Sequence, residues 1–240
     1  MSGALLVADL GMMAYVDALE LQRAAARARI AGSLGEDLLI LVEHPPVVTQ
    51  GRSSKAQHLL ASPALLDARG VELREVERGG DVTFHGPGQL VGYPIVDLKR
   101  HKQDLHWYLR QVEEALIRAL RAFDLVGERR EGLTGVWTSG RKIASIGVHA
   151  RDWVTWHGFA LNVTTDLAYF DLIVPCGIAE VTMTSIAAEL ELRDSLVENR
   201  SAMIRSRSAV AAAFADVFSL KPTAMDPAEL DRVAASNVPA

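Results

Sequence analysis

A chain of 240 residues, 49% hydrophobic and 23% charged, is long enough to bury one core without disulfide or metal staples. Its single cysteine, Cys176, excludes an internal disulfide and a zinc–thiolate cluster, and the net charge of -5 argues against a general nucleic-acid binder. Apolar runs such as Leu38-Leu39-Ile40-Leu41-Val42 are of strand length and not bilayer length, so membrane insertion is excluded; with no secretory pattern at the N-terminus, the expected location is the cytoplasm.

In chain order, residues 4–10 read as an apolar strand, and residues 14–31, rich in Ala, Leu, Gln and Arg, as a long helix stopped by Gly32. Residues 37–42 form a buried strand that Pro45 and Pro46 must end, and the chain continues as loop through Gly51-Arg52-Ser53-Ser54. A short helix follows, with Ser62 as N-cap, Pro63 in the first position and Gly70 just past its end. Residues 71–76, 81–84 and 90–97 are strands separated by glycine-rich turns, and residues 104–123 carry apolar side chains at helical spacing. Strands return at 136–138, 142–149 and 154–163, a hairpin region turned at Ser139-Gly140, followed by a short helix at 184–190 and another within 197–218. Runs and hairpins outnumber strict alternation, so the predicted fold class is α+β, a mixed and mainly antiparallel sheet layered with helices. One domain over residues 1–220 and a flexible, Ala- and Pro-rich tail over 221–240 are expected.

Four places draw chemical interest. Cys176 sits between Pro175, which fixes one flank, and Gly177, which frees the other, so the thiol is either a small buried hydrophobe or a nucleophile on a tight corner. Lys142 begins a strand whose period of two places it with Ala144, Ile146 and Val148 on an apolar face, so it either snorkels at the edge or is desolvated. The segment from Arg78-Gly79-Gly80 to Gly88-Gln89 holds four glycines, able to wrap a ligand or simply to turn hairpins; His85 within it is a base, a donor or a satisfied core histidine. Gly158, in the bulky strand Thr155-Trp156-His157-Gly158-Phe159, marks either a close approach to the backbone or a bulge. No histidine belongs to a His-x-x-x-His pair or a carboxylate triad, so no metal site is expected. Two basic clusters, Lys99-Arg100-His101-Lys102 and Arg129-Arg130, are solvated loops or docks for an acidic partner.

Six segments occur in one order over residues 4–190: Glu43-His44-Pro45-Pro46-Val47, Arg78-Gly79-Gly80 through Gly92-Tyr93-Pro94, Gly135-Val136-Trp137, Arg141-Lys142-Ile143-Ala144-Ser145-Ile146-Gly147, His157-Gly158-Phe159-Ala160-Leu161-Asn162, and Pro175-Cys176-Gly177-Ile178 followed by Thr184-Ser185. As a set they resemble the lipoyl(octanoyl) transferase family. The resemblance implies the fold shared by biotin and lipoate protein ligases, here a single acyltransferase domain. It implies that Cys176 is the acyl-thioester nucleophile and Lys142 the partner that favours its thiolate. It further implies a substrate pocket formed by Arg78, Gly79, Gly80, Asp81, Val82, Thr83, Phe84, His85, Ser145, Ile146, Gly147, Gly158, Phe159 and Ala160.

The implied donor is octanoyl-acyl carrier protein, and the implied acceptors are the lipoyl domains of 2-oxoacid dehydrogenases and the glycine cleavage H protein. Thioester exchange conserves bond energy, so neither ATP nor any other cofactor is expected. A free thiol is mostly protonated at neutral pH, and a nearby ammonium would favour the attacking thiolate. Lys142 could then take a proton from the acceptor amine, with backbone amides at Cys176 and Gly177, or His85, as candidate oxyanion donors. Two rival readings are an ATP-dependent lipoate or biotin protein ligase and a non-catalytic acyl-binding module in which Cys176 is only core.

Overall fold

A computed structural model describes residues 3–178, 181–192 and 195–235. Its main sheet has seven strands: β1 (Ala4–Met12), β2 (Asp37–Glu43), β6 (Gln89–Ile95), β7 (Val136–Thr138), β8 (Arg141–Arg151), β9 (Val154–Asn162) and β10 (Lys221–Ala224), in the order β10-β1-β2-β6-β9-β8-β7. β10, β1 and β2 run parallel to one another, and every junction from β2 to β7 is antiparallel. The mixed α+β architecture expected from the sequence is the one observed.

Helices α1 (Tyr15–Ala31) and α6 (Pro227–Ala235) cover one face; α3 (Leu105–Leu120) and α5 (Leu196–Val217) cover the other. Strand β2 shows how residue order builds both layers. Its alternate residues Leu38, Ile40 and Val42 pack toward α1, while Leu39 and Leu41 pack toward α3 and α5, as a period of two demands of a strand buried on both sides. Each such side chain contributes about 1.5–3 kcal/mol of burial.

A second sheet of three strands, in the order β4-β3-β5, holds β3 (Val47–Gln50), β4 (Glu72–Glu75) and β5 (Val82–His85), with α2 (Pro63–Ala68) leading into β4. The sequence reading ran as loop from 43 to 54 and missed β3. Four residues directly after two prolines are too few to show alternation, yet Val47, Val48 and Thr49 are buried and pair with β5 on one side and β4 on the other. β3 anchors the glycine-rich segment: Arg78 donates to the Thr49 carbonyl at 2.7 Å and to its hydroxyl at 2.9 and 3.1 Å.

The tail also requires correction. Residues 221–224 pair in register with β1, and α6 lays the buried Leu230 into the α1 layer. Low sequence complexity hid a strand whose only signal is its partner; residues 236–240 of the expected tail lie outside the described residues. Helix α4 (Ile186–Glu189), capped by the Ser185 side chain on the Ala188 amide, closes the segment that follows Cys176.

Candidate active site

Lys142 is fully buried, and its Nζ donates to Cys176 Sγ at 3.1 Å and to the Thr134 carbonyl at 3.4 Å. No carboxylate forms an ion pair with it among the described residues, and its Nζ lies 5.1 Å from the Trp137 ring centroid. The desolvated alternative is therefore the one realised, and Cys176 is the anion-capable group in direct contact with the ammonium. The strand end is pinned on both edges: Trp137 pairs with Lys142 from β7, while the Lys142 amide donates to the Thr182 carbonyl and its own carbonyl accepts from the Thr184 amide. Cys176 is half-buried and left-handed at φ 57°, inside a short 3-10 turn over Pro175–Gly177. A non-glycine residue held there is strained by roughly 1–3 kcal/mol, a cost that persists where the surroundings over-determine the geometry.

Beside this pair opens a cavity of about 250 Å³. Of the sequence-derived pocket, Arg78, Gly80, Asp81, Thr83, His85, Ser145, Ile146, Gly147, Gly158, Phe159 and Ala160 line it, together with Cys176. Gly79, Val82 and Phe84 do not. Strand alternation along β5 sends Thr83 and His85 to the cavity and Val82 and Phe84 to a separate apolar cluster, where Phe84 stacks on Tyr169 at 4.6 Å. Gly79 instead docks its amide on the Val148 carbonyl at 2.8 Å.

Gly158 marks a close approach, but of protein and not of ligand alone. A Cβ there would stand 2.2 Å from the Gly92 carbonyl oxygen and 2.6 Å from Pro94, so the glycine lets β6 and β9 meet.

A chain of amides fixes the tautomer of His85. Asn162 donates through Nδ2 to the Thr184 carbonyl; Gln89 donates through Nε2 to Asn162 Oδ1, so Gln89 presents Oε1 to His85 Nδ1 at 2.8 Å. Nδ1 therefore carries the proton and Nε2 is an acceptor, which removes His85 from the oxyanion donors. Burial pushes His85 down to about 3, helped by His44, Arg78 and His157 and opposed by the Gln89 hydrogen bond. Burial likewise holds His44 down to about 4, against the Met13 carbonyl bond. Of the two backbone amides considered, that of Gly177 is engaged by the Val174 carbonyl at 2.9 Å.

Among further residues at the site, Tyr93 and His44 lie in the segments quoted above, and the others carry no sequence signal. Tyr15, from the first turn of α1, stacks on His85 at 5.9 Å, and Tyr93 donates its hydroxyl to His44 Nε2 at 2.7 Å. Thr134 reaches the cavity from the loop before β7, and His58 pairs with Asp81 at 2.6 Å just behind Gly177. Only folding brings these together; no motif links residue 15 or 58 to Cys176.

The basic clusters resolve differently from each other. Lys102 pairs with Asp104 and Arg100 donates to the Gly35 carbonyl, and neither lines the cavity. Arg129 is held by Glu113 and Glu114, whereas exposed Arg130 donates to the Gly140 carbonyl and stands over Trp137 at 5.6 Å, two residues before the cavity-lining residues 132–134.

This sheet, with its cavity roofed by a glycine-rich segment, is the architecture of lipoyl protein ligase catalytic domains. It superposes on lipoate-protein ligase A bound with ATP with a TM-score of 0.72, covering 98% of this chain and 94% of that one at 16% identity. The family model described as the lipoyl protein ligase A/B catalytic domain matches residues 14–207. The octanoyltransferase of Nostoc sp. is 52% identical over 177 residues, 74% of this chain and 79% of its own length. That of Chloroflexus aurantiacus is 48% identical over 216 residues, 89% and 93% respectively. The chain belongs to the lipoyl protein ligase A/B catalytic-domain family and, within it, to the octanoyltransferases.

Proposed function

We propose that this enzyme moves an octanoyl group from a carrier-protein thioester to Cys176, and from there to the lysine of a lipoyl acceptor domain. The observation that carries the reading is the 3.1 Å contact between a fully buried lysine and the only thiol in the chain. In the first half-reaction the Cys176 thiolate attacks the donor carbonyl, the new S–C bond forms, the donor C–S bond breaks, and the carrier thiolate leaves with the Lys142 proton. In the second, the acceptor amine attacks the Cys176 thioester and passes a proton to the now neutral Lys142. Amide formation expels the Cys176 thiolate and restores the starting pair, so one lysine serves as acid and then as base. We place the donor as octanoyl-acyl carrier protein, the acceptors as lipoyl domains of 2-oxoacid dehydrogenases and the glycine cleavage H protein, and the reaction in the cytoplasm. No helix among the described residues is long and apolar enough to cross a membrane.

Intact-mass measurement after mixing the enzyme with octanoyl-acyl carrier protein and no nucleotide tests this. An octanoyl adduct on the wild type and none on Cys176→Ala is expected. Transfer that requires ATP, or an adduct retained by the variant, would overturn the assignment in favour of an adenylating ligase or another nucleophile.

A further inference from the structure

The corner that holds Cys176 is braced from outside the cavity. Residues 58–61 run antiparallel to residues 172–174: the Val174 amide donates to the His58 carbonyl at 2.8 Å, Leu59 bridges Ile173, and the Leu60 and Ala61 amides both converge on the Leu172 carbonyl. This rung ends two residues before the nucleophile. At its end the His58 ring meets Asp81 Oδ2 at 2.6 Å, while Asp81 Oδ1 accepts from the Val82 amide at 2.7 Å, so the carboxylate is fixed to the start of β5. The two side chains are only 13% and 9% exposed.

Gly177 packs directly on this pair. A Cβ there would stand 2.4 Å from Asp81 Oδ2 and 2.9 Å from His58 Nδ1 and Cε1. With Gly177 at φ 65° after Cys176 at φ 57°, the corner is two successive left-handed residues whose outer side rests on the His58–Asp81 pair and whose inner side presents Sγ to Lys142. Left-handed backbone at a residue with a side chain needs such support to persist.

We propose that His58 and Asp81 are positioning residues for Cys176. The pair forms a wall behind Gly177 that keeps the corner closed and Sγ within reach of Lys142. The proposal rests on the transferase reading for its effect on turnover but not for its effect on the thiol. Asp81 also lines the cavity, so His58, which does not, is the cleaner probe.

The test compares His58→Leu, which breaks the pair, with His58→Asn, whose amide nitrogen can donate where Nδ1 stands. His58→Leu is expected to lower kcat at least tenfold with the donor KM within twofold, and to change the rate of Cys176 alkylation by a small reagent at least fivefold. His58→Asn is expected to stay within threefold of wild type in both measurements. Should His58→Leu fail to fold, His58→Ala takes its place with the same expectations. Equal impairment of His58→Leu and His58→Asn, or alkylation and turnover unchanged in the pair-breaking variant, would overturn the proposal. Alkylation is read without any acyl donor, so a failure of the transferase reading leaves this measurement standing and the two outcomes distinct.

Discussion

A Cβ on Gly135 would lie 2.8 Å from Cε of Lys142, so this glycine is the groove through which the lysine stem reaches Cys176. Its φ of 144° is one that other residues rarely adopt. Gly135→Ala should push Nζ away from the sulfur, lowering turnover tenfold or more and destabilising the fold by about 1–3 kcal/mol. Steady-state kinetics and urea denaturation check both; unaltered turnover would mean that the lysine position is not set here.

Lys142→Met fills the same tunnel without charge. Removing a buried ammonium that lacks a carboxylate partner should leave stability unchanged or raised by roughly 1 kcal/mol. The thiolate loses its cation, so alkylation of Cys176 at neutral pH should slow severalfold and transfer should collapse. A variant that alkylates at the wild-type rate yet cannot transfer would confine Lys142 to proton exchange.

Acid should weaken this fold through its buried histidines. His44 and His85 titrate near 6.5 when unfolded and are held down to about 4 and about 3 when folded. As pH falls below 6.5 the unfolded chain binds protons that the native chain refuses; stability is therefore full above that value and drops toward pH 4. His85→Asn, which can keep the donor to Gln89, should flatten the decline in denaturation midpoint across this window. Superimposable pH profiles for the variant and wild type would sink the linkage.

The choice between basic clusters can be decided at the carrier step. Arg130, exposed and two residues before the cavity-lining Gly132, should matter for an acidic donor protein: Arg130→Glu is expected to raise the KM for carrier-bound octanoate severalfold and to weaken its salt dependence, leaving a small octanoyl thioester unaffected. Arg100→Glu with Lys102→Glu, the reversal that the sequence alone would favour, should change neither, because neither residue lines the cavity. The opposite ranking would move the docking surface to that cluster.

Cys176 and Lys142 were legible because each carries a local oddity, a thiol between proline and glycine and a lysine on an apolar face. The hairpins were legible because alternation and turn residues act over a few positions. His58, Tyr15 and β3 were not, since their meaning lies in partners tens of residues away: Asp81 for His58, His85 for Tyr15, and β4 and β5 for β3. The Arg78–His85 segment was read as one continuous lining, and the pleat divided it into an inward and an outward set. The close approach read at Gly158 is made by a neighbouring strand, and the glycine lines the cavity as well.

The late pairing of β10 with β1 has a colloidal consequence. Without residues 221–224, β1 would offer a bare row of amides and carbonyls to any other chain, a template for intermolecular strand addition. β10 takes that outermost place with Lys221 and Pro222 in its own four residues, a charge and a missing donor that discourage further pairing. At the opposite margin β7 is three residues long and meets Glu128 through a single isolated bridge. Both flanks of the sheet are thus blunted, and a chain shortened to residue 220 should lose solubility before it loses its acyl chemistry.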